Sequence, residues 1–287
     1  MRIAVIGAGR VGTALGVLFA RAGHEIVAVA GREATTARAA AWLPGVPVRS
    51  PADAALVAEF ALITVPDDAI VPVTDALARE GALSPGLWVA HTSGAVGLDA
   101  LDAGRAAGAR RLVIHPLQTL PDVERAVATI PGAAMAVTAD DEEGASLGAR
   151  LARDLGARPF PLADADRALY HAAAVFASNY VVATSAVAER LFAEAGVPDP
   201  VAAMAPLQVA TLENIERLGP GAALTGPAVR GDAGTVGRNL EALAARAPGA
   251  VAAYVALCRV ALDVAVAAGR LAPEGRAGVE EVLAAWS

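Results

Sequence analysis

Three of the four histidines of this chain stand beside small polar residues. His91-Thr92-Ser93-Gly94 closes one apolar run, and His115-Pro116-Leu117-Gln118-Thr119 closes another. His171 lies in a stretch without formal charge, with Ser178 seven residues on and nearly on the same helical face, and Asn179 slightly rotated. Imidazole titrates near neutrality, so His115 first and His171 second are the candidates for carrying a proton to a forming alkoxide. Ser93 and Asn179 are the candidates for hydrogen bonding the reacting oxygen. A single buried histidine is more often a packed core residue, but three around one site favour a chemical role for at least one. There is no close pair such as HxxxH, so no metal centre is expected. His24, just before a strand, reads as a surface residue.

A second constellation is Gly7-Ala8-Gly9-Arg10-Val11-Gly12, a GxGxxG that follows the strand IAVI and opens the helix TALGVLFARAG. Gly7 permits the tight turn, Gly9 lets backbone approach a pyrophosphate, and Gly12 lets helix and strand pack closely. The helix start at Arg10 and Val11 offers free N–H groups and a positive dipole end to phosphates. The next strand ends Ala30-Gly31-Arg32-Glu33. A small residue followed by Arg fits the 2′-phosphate of NADP, with Thr35 and Thr36 as further donors; the competing assignment gives the ribose to Glu33. Val65-Pro66, at the end of what counts as the fourth strand, is expected to give backbone contact to the cofactor. In Leu224-Thr-Gly-Pro-Ala-Val-Arg-Gly-Asp232, Thr225, Arg230 and Asp232 sit on a rigid turn, and Arg230 is suited to a bidentate clamp on a carboxylate.

The elements that must position these groups divide the chain in two. Ile3–Ile6, Glu25–Ala30, Ala61–Val65, Leu87–His91, Leu112–His115 and Ala133–Thr138 are continuous apolar runs, and Ala157–Leu162 is a last short strand. Runs without alternation suit strands covered on both faces. With helices at Thr13–Ala22 and about Asp141–Leu155 they predict an α/β, doubly wound Rossmann-type parallel sheet over residues 1–162. From residue 163 to 287 the strand signal stops and an all-helical domain is expected. Asp164 or Asp166 would N-cap a long helix to about Ala195, and further helices follow near 201–218, 235–247, 248–269 and 273–285.

Composition narrows the function. The 287 residues are 55% hydrophobic and 18% charged, which excludes disorder. All 23 basic residues are arginine, so lysine Schiff-base and lysine acid chemistry are excluded. The net charge of −7 argues against nucleic acid and anionic membranes, and the single cysteine, Cys258, forms no internal disulfide. A cytoplasmic protein is expected. Ala168–Ala188 carries no charge and is long enough for a membrane span; its His, Ser, Asn and Thr residues favour a helix buried in protein.

GAGRVG, ITVPDDAI, HTSGA, IHPLQT, YHAAAVFASN and LTGPAVRGD together resemble the Rossmann-like oxidoreductases whose helical C-terminal domain is catalogued as a domain of unknown function. Their wider relatives are 6-phosphogluconate-dehydrogenase-like enzymes, among them ketopantoate, pyrroline-5-carboxylate and β-hydroxyacid enzymes and prephenate dehydrogenases. Many of those carry a Lys four positions before an Asn; here the positions hold Val175 and Asn179. His115-Pro116 resembles the HP motif of prephenate dehydrogenases. The resemblance implies an NADPH-dependent reductase of a small carboxylate-bearing carbonyl, a 2-keto acid such as ketopantoate, or of an imine. It also implies a homodimer. The alternatives are prephenate-dehydrogenase-like oxidation and a non-catalytic NADP(H)-binding sensor or scaffold.

Overall fold

The computed structural model describes residues 1–286. In chain order the first part contains β1 (Arg2–Ile6), α1 (Arg10–Arg21), β2 (Glu25–Ala30), α2 (Ala34–Trp42), α3 (Pro51–Leu56), β3 (Phe60–Ile63), α4 (Asp67–Arg79), β4 (Trp88–His91), α5 (Asp102–Ala106), β5 (Arg110–Pro116), α6 (Val123–Thr129), β6 (Ala134–Ala139), α7 (Glu142–Asp154), β7 (Arg158–Pro161) and α8 (Arg167–Ala177). The second part contains α9 (Asn179–Glu194), α10 (Pro200–Leu218), α11 (Pro220–Ala223), α12 (Ala233–Arg246), α13 (Val251–Ala267) and α14 (Pro273–Ala284).

The strands form one sheet in the order β2-β1-β3-β4-β5-β6-β7. Every pair is parallel except β5–β6, which is antiparallel. No full strand stands between β2 and β3, only an isolated bridge from Val29 to Val48, so the ITV, WVAH and IHP strands are the third, fourth and fifth. β1, β3, β4 and β5 run the same way, and their C-terminal ends therefore share one edge. The chain reverses its direction of winding between β1 and β3, the position at which doubly wound sheets bind ligands.

The continuous apolar runs have a simple cause. Alternate residues of each strand face opposite sides, and both sides are covered. Ile3, Val5, Phe60, Leu62, Leu112 and Ile114 pack with residues of α1, α6 and α7. Ala4, Ile6, Ala61, Ile63 and Val89 pack with α3, α4 and with Ala100 and Leu101 just before α5. The expected doubly wound α/β layering is what forms.

Two compact units are resolved, Met1–Asn179 and Tyr180–Ser287. The second has its own core of Val236, Leu240, Val255, Cys258, Leu262, Val279 and Leu283 from α12, α13 and α14. The expected helix from Asp164 to Ala195 is interrupted at Ser178 (φ −128°, ψ −68°). Neither aspartate caps it through its side chain: Asp166 makes no cap bond, and the Asp164 carboxylate instead accepts the Leu98 N–H at 3.0 Å. The apolar stretch does not become a buried helix within this chain. The span Asp164–Glu194 is long and apolar enough to cross a membrane, yet none of its apolar window is buried, and Leu169, Phe176 and Val182 are exposed. Small side chains give these helices little to bury against their neighbours. Pro248–Ala267 also passes on length and hydropathy, with 28% of its window buried.

His24 is not a free surface residue. Its Nε2 lies 3.0 Å from the Asp154 carboxylate, and its ring packs edge to face on Phe19. Its place in the turn between α1 and β2 hid both partners, which lie inside unit 1.

Candidate functional site

The turn after β1 is built as its glycines require. Gly7 has φ +93°, a left-handed conformation, and a Cβ there would meet Val65 Cγ1 at 2.6 Å. A Cβ on Gly12 would collide with the Thr64 hydroxyl and with Val5. Gly9 is different: a Cβ there would meet only the Gly7 carbonyl oxygen, at 3.7 Å. Nothing within the chain demands a glycine at position 9, so the open space before it suits an approaching ligand. Gly9 caps α1 without a side chain, which leaves the first-turn N–H groups of Arg10, Val11 and Gly12 for an anion. The turn thus fits a pyrophosphate.

Around it, Arg32 and Thr36 are exposed beyond β2, whereas Thr35 is buried, with its hydroxyl against Gly31. The Arg10 guanidinium donates to the Pro121 carbonyl at 2.8 Å. Arg38, which had no sequence signal midway along α2, donates to the Ala8 carbonyl at 2.9 Å and braces the turn. Val65 and exposed Pro66 border the same turn from the end of β3.

The histidines meet at the same edge. His91 is fully buried; its Nδ1 accepts the Ser93 N–H at 3.2 Å, so its Nε2–H donates to the Gly97 carbonyl at 3.0 Å. Burial lowers its pKa to about 4, and it serves as a neutral brace of the turn after β4. Ser93 belongs to that brace. It is buried, its hydroxyl oxygen accepts the N–H groups of Ala95 and Val96 at 3.2 and 3.0 Å, and it does not line the cavity described below. The expected contact with substrate is therefore reassigned to holding the turn.

Gly94, next in the chain, is the meeting point. A Cβ on it would lie 2.9 Å from both His115 Nε2 and His171 Nδ1. Only a glycine lets the turn lie against both rings. His115 Nδ1 is 2.7 Å from the Tyr170 hydroxyl. Burial pushes the His115 pKa down to about 4, helped by the charge of Arg167 and by His171 and His91. Burial raises that of the Tyr170 phenol. At neutral pH the imidazole is therefore uncharged and the phenol keeps its proton. His171 Nδ1 is buried without a hydrogen-bond partner, a cost normally relieved by a ligand or a function.

His115, Tyr170, His171, Ser178 and Asn179 line a cavity of about 670 Å³ with Gln118 and Thr119. Val175 contributes to its apolar wall. No formally charged side chain lines it. His171, Ser178 and Asn179 share the cavity although the helix breaks at Ser178, so His171 lies on α8 and Asn179 opens α9. Arg230 is exposed on the turn between α11 and α12 of the second unit. Asp232 caps α12 by accepting the Thr235 N–H at 2.9 Å.

Residues 1–116 match the family model of the Rossmann-like domain, and residues 133–261 match that of a domain of unknown function, DUF2520. No curated protein matches. Among solved structures, a Bacteroides fragilis protein described as an NADP oxidoreductase is 25% identical, with a TM-score of 0.77 over 91% of this chain and 98% of that one. A protein from Thermotoga maritima is 21% identical, with a TM-score of 0.72 over 93% of this chain and 100% of its own. An imine reductase from Myxococcus stipitatus, solved with NADP+, is 18% identical, with a TM-score of 0.65 over 94% and 96%. The fold is that of dinucleotide-dependent oxidoreductases.

Proposed function

We propose that this chain, which joins a Rossmann-like domain to a domain of the DUF2520 family, is an NADPH-dependent reductase of a small carbonyl or imine compound bearing a carboxylate. One juxtaposition carries the reading. The ligand-ready glycine turn after β1 and the His115–Tyr170 pair after β5 stand at the same edge of one sheet.

Gly7, Gly9 and the N–H groups of Arg10, Val11 and Gly12 would hold the pyrophosphate, with Val65 and Pro66 beside them. Arg32 would meet the 2′-phosphate. When bound, the cofactor supplies a hydride. The chain must then supply a proton to the oxygen or nitrogen that gains negative charge. His115 is uncharged near neutrality, so an imidazolium donor is replaced by a pair. With Nδ1–H donating to the phenol oxygen, the Tyr170 hydroxyl turns its proton to the cavity. The Nδ1–H then returns a proton to the phenolate oxygen while Nε2 takes one from water, which leaves the ring neutral in its other tautomer. Asn179 hydrogen-bonds the reacting group, and His171, with its unpaired Nδ1, takes a second polar contact.

The test is NADPH oxidation against a panel of 2-keto acids and cyclic imines, beginning with ketopantoate. Turnover of one class with wild-type protein, lost in Tyr170→Phe, supports the reading. NADPH binding without turnover of any member would replace it with a dinucleotide sensor.

A further inference from the structure

Arg167 opens α8 directly after Asp164 and Asp166, yet it is 1% exposed. Its Nε–H donates to the Val96 carbonyl at 2.7 Å, one terminal nitrogen donates to the Thr138 hydroxyl at 2.9 Å, and the other donates to the Ser93 carbonyl. Thr138 in turn donates to the Leu162 carbonyl at 2.7 Å. None of its partners is a carboxylate. A buried guanidinium held only by neutral acceptors has no directly bonded counter-charge, although the carboxylates of Asp164 and Asp67 also act on it through space.

We propose that Arg167 is a positioning residue of this site, clamping the Ser93–Val96 turn to β6 and setting a fixed positive charge behind the His115–Tyr170 pair. The clamp acts through Gly94. Arg167 holds the carbonyl of the residue before it and that of Val96 after it, so it fixes the backbone that touches both imidazoles. The charge acts through His115. A nearby cation resists a second proton on the ring and leaves Nδ1 committed to Tyr170. It also favours negative charge developing in the cavity. The other groups bearing on His115 are His91, His171 and Tyr170; Asp67 and Asp164 act on His91 and on Arg167 itself.

This inference rests on the proposed reductase, but its first readout needs no turnover. Imidazole nitrogen shifts followed by NMR from pH 4 to 8 give the His115 midpoint directly. Arg167→Gln keeps polar contacts and removes the charge; the midpoint should rise by roughly half a unit to one unit, with kcat falling at least tenfold where a substrate is in hand. Arg167→Lys should keep the midpoint below 5 while losing part of the clamp. If Arg167→Gln fails to fold, Arg167→Met is the second neutral variant: a folded protein whose His115 midpoint stays at the wild-type value overturns the charge role. A folded Gln variant with an unmoved midpoint overturns it as well. A protein with no reductase activity but the expected midpoint shift would sink the proposed reaction and leave the role of Arg167 standing.

Discussion

The Tyr170 hydroxyl lies 2.7 Å from His115 Nδ1, with the two rings edge to face at 86°. The pair acts as one unit, which sets the expected kinetics. Tyr170→Phe and His115→Asn should each lower kcat by about 10²–10⁴-fold and leave NADPH affinity nearly intact. The double variant should be little worse than either single one. Additive losses in steady-state kinetics would separate the two groups. His171→Asn is the matched control: loss of turnover in it alone would make His171 the donor.

Gly94 offers a test that removes no catalytic group. A methyl group there has to displace both His115 Nε2 and His171 Nδ1. Overpacking of this kind costs roughly 1–3 kcal/mol. Gly94→Ala should lower kcat at least tenfold with the cofactor Kd unchanged. An unaffected kcat would show that the rings tolerate displacement.

Arg32→Ala should weaken NADPH binding and spare NADH. A charge-assisted contact contributes about 1.5–3 kcal/mol, or ten- to a hundred-fold in Kd. Fluorescence titration with both cofactors checks this, and equal losses would move the 2′-phosphate elsewhere.

Stability should fall in acid. His91 titrates near 6.5 when unfolded and about 4 in the native protein. Below pH 6.5 the unfolded chain takes up a proton that the native state refuses, so stability present above that pH is lost on the way down. For one such imidazole the loss from pH 7 to pH 5 is roughly 2 kcal/mol. Urea unfolding at the two pH values measures it, and His91→Gln should flatten the slope. A slope unchanged in that variant would assign the acid sensitivity to other groups.

The exposed apolar residues of α9 and α10, including Val181, Val182, Leu207, Val209 and Leu212, lead us to propose a homodimer formed through these helices. Exposed patches of this kind mark interaction surfaces. Sedimentation should give twice the chain mass at micromolar concentration, and Val182→Glu should shift it toward monomer. A monomeric wild type would remove the dimer.

Local rules were enough for much of this molecule. The glycine turn and the strands with apolar residues on both faces follow from spacing alone, because turns and strands are fixed by neighbours in sequence. What a side chain touches across the fold is a different matter. Arg167 follows two aspartates and looks, in sequence, like a solvated helix-start residue; burial against Ser93, Val96 and Thr138 comes from segments far away in the chain. Ser93 and His115 each carry chemistry-competent groups, but only packing turned the first inward to brace a loop and left the second uncharged beside Tyr170. Sequence determined which groups reach the sheet edge. Tertiary structure decided their protonation and their partners, because desolvation and hydrogen bonding depend on everything that surrounds an atom and not on the residues beside it in the chain.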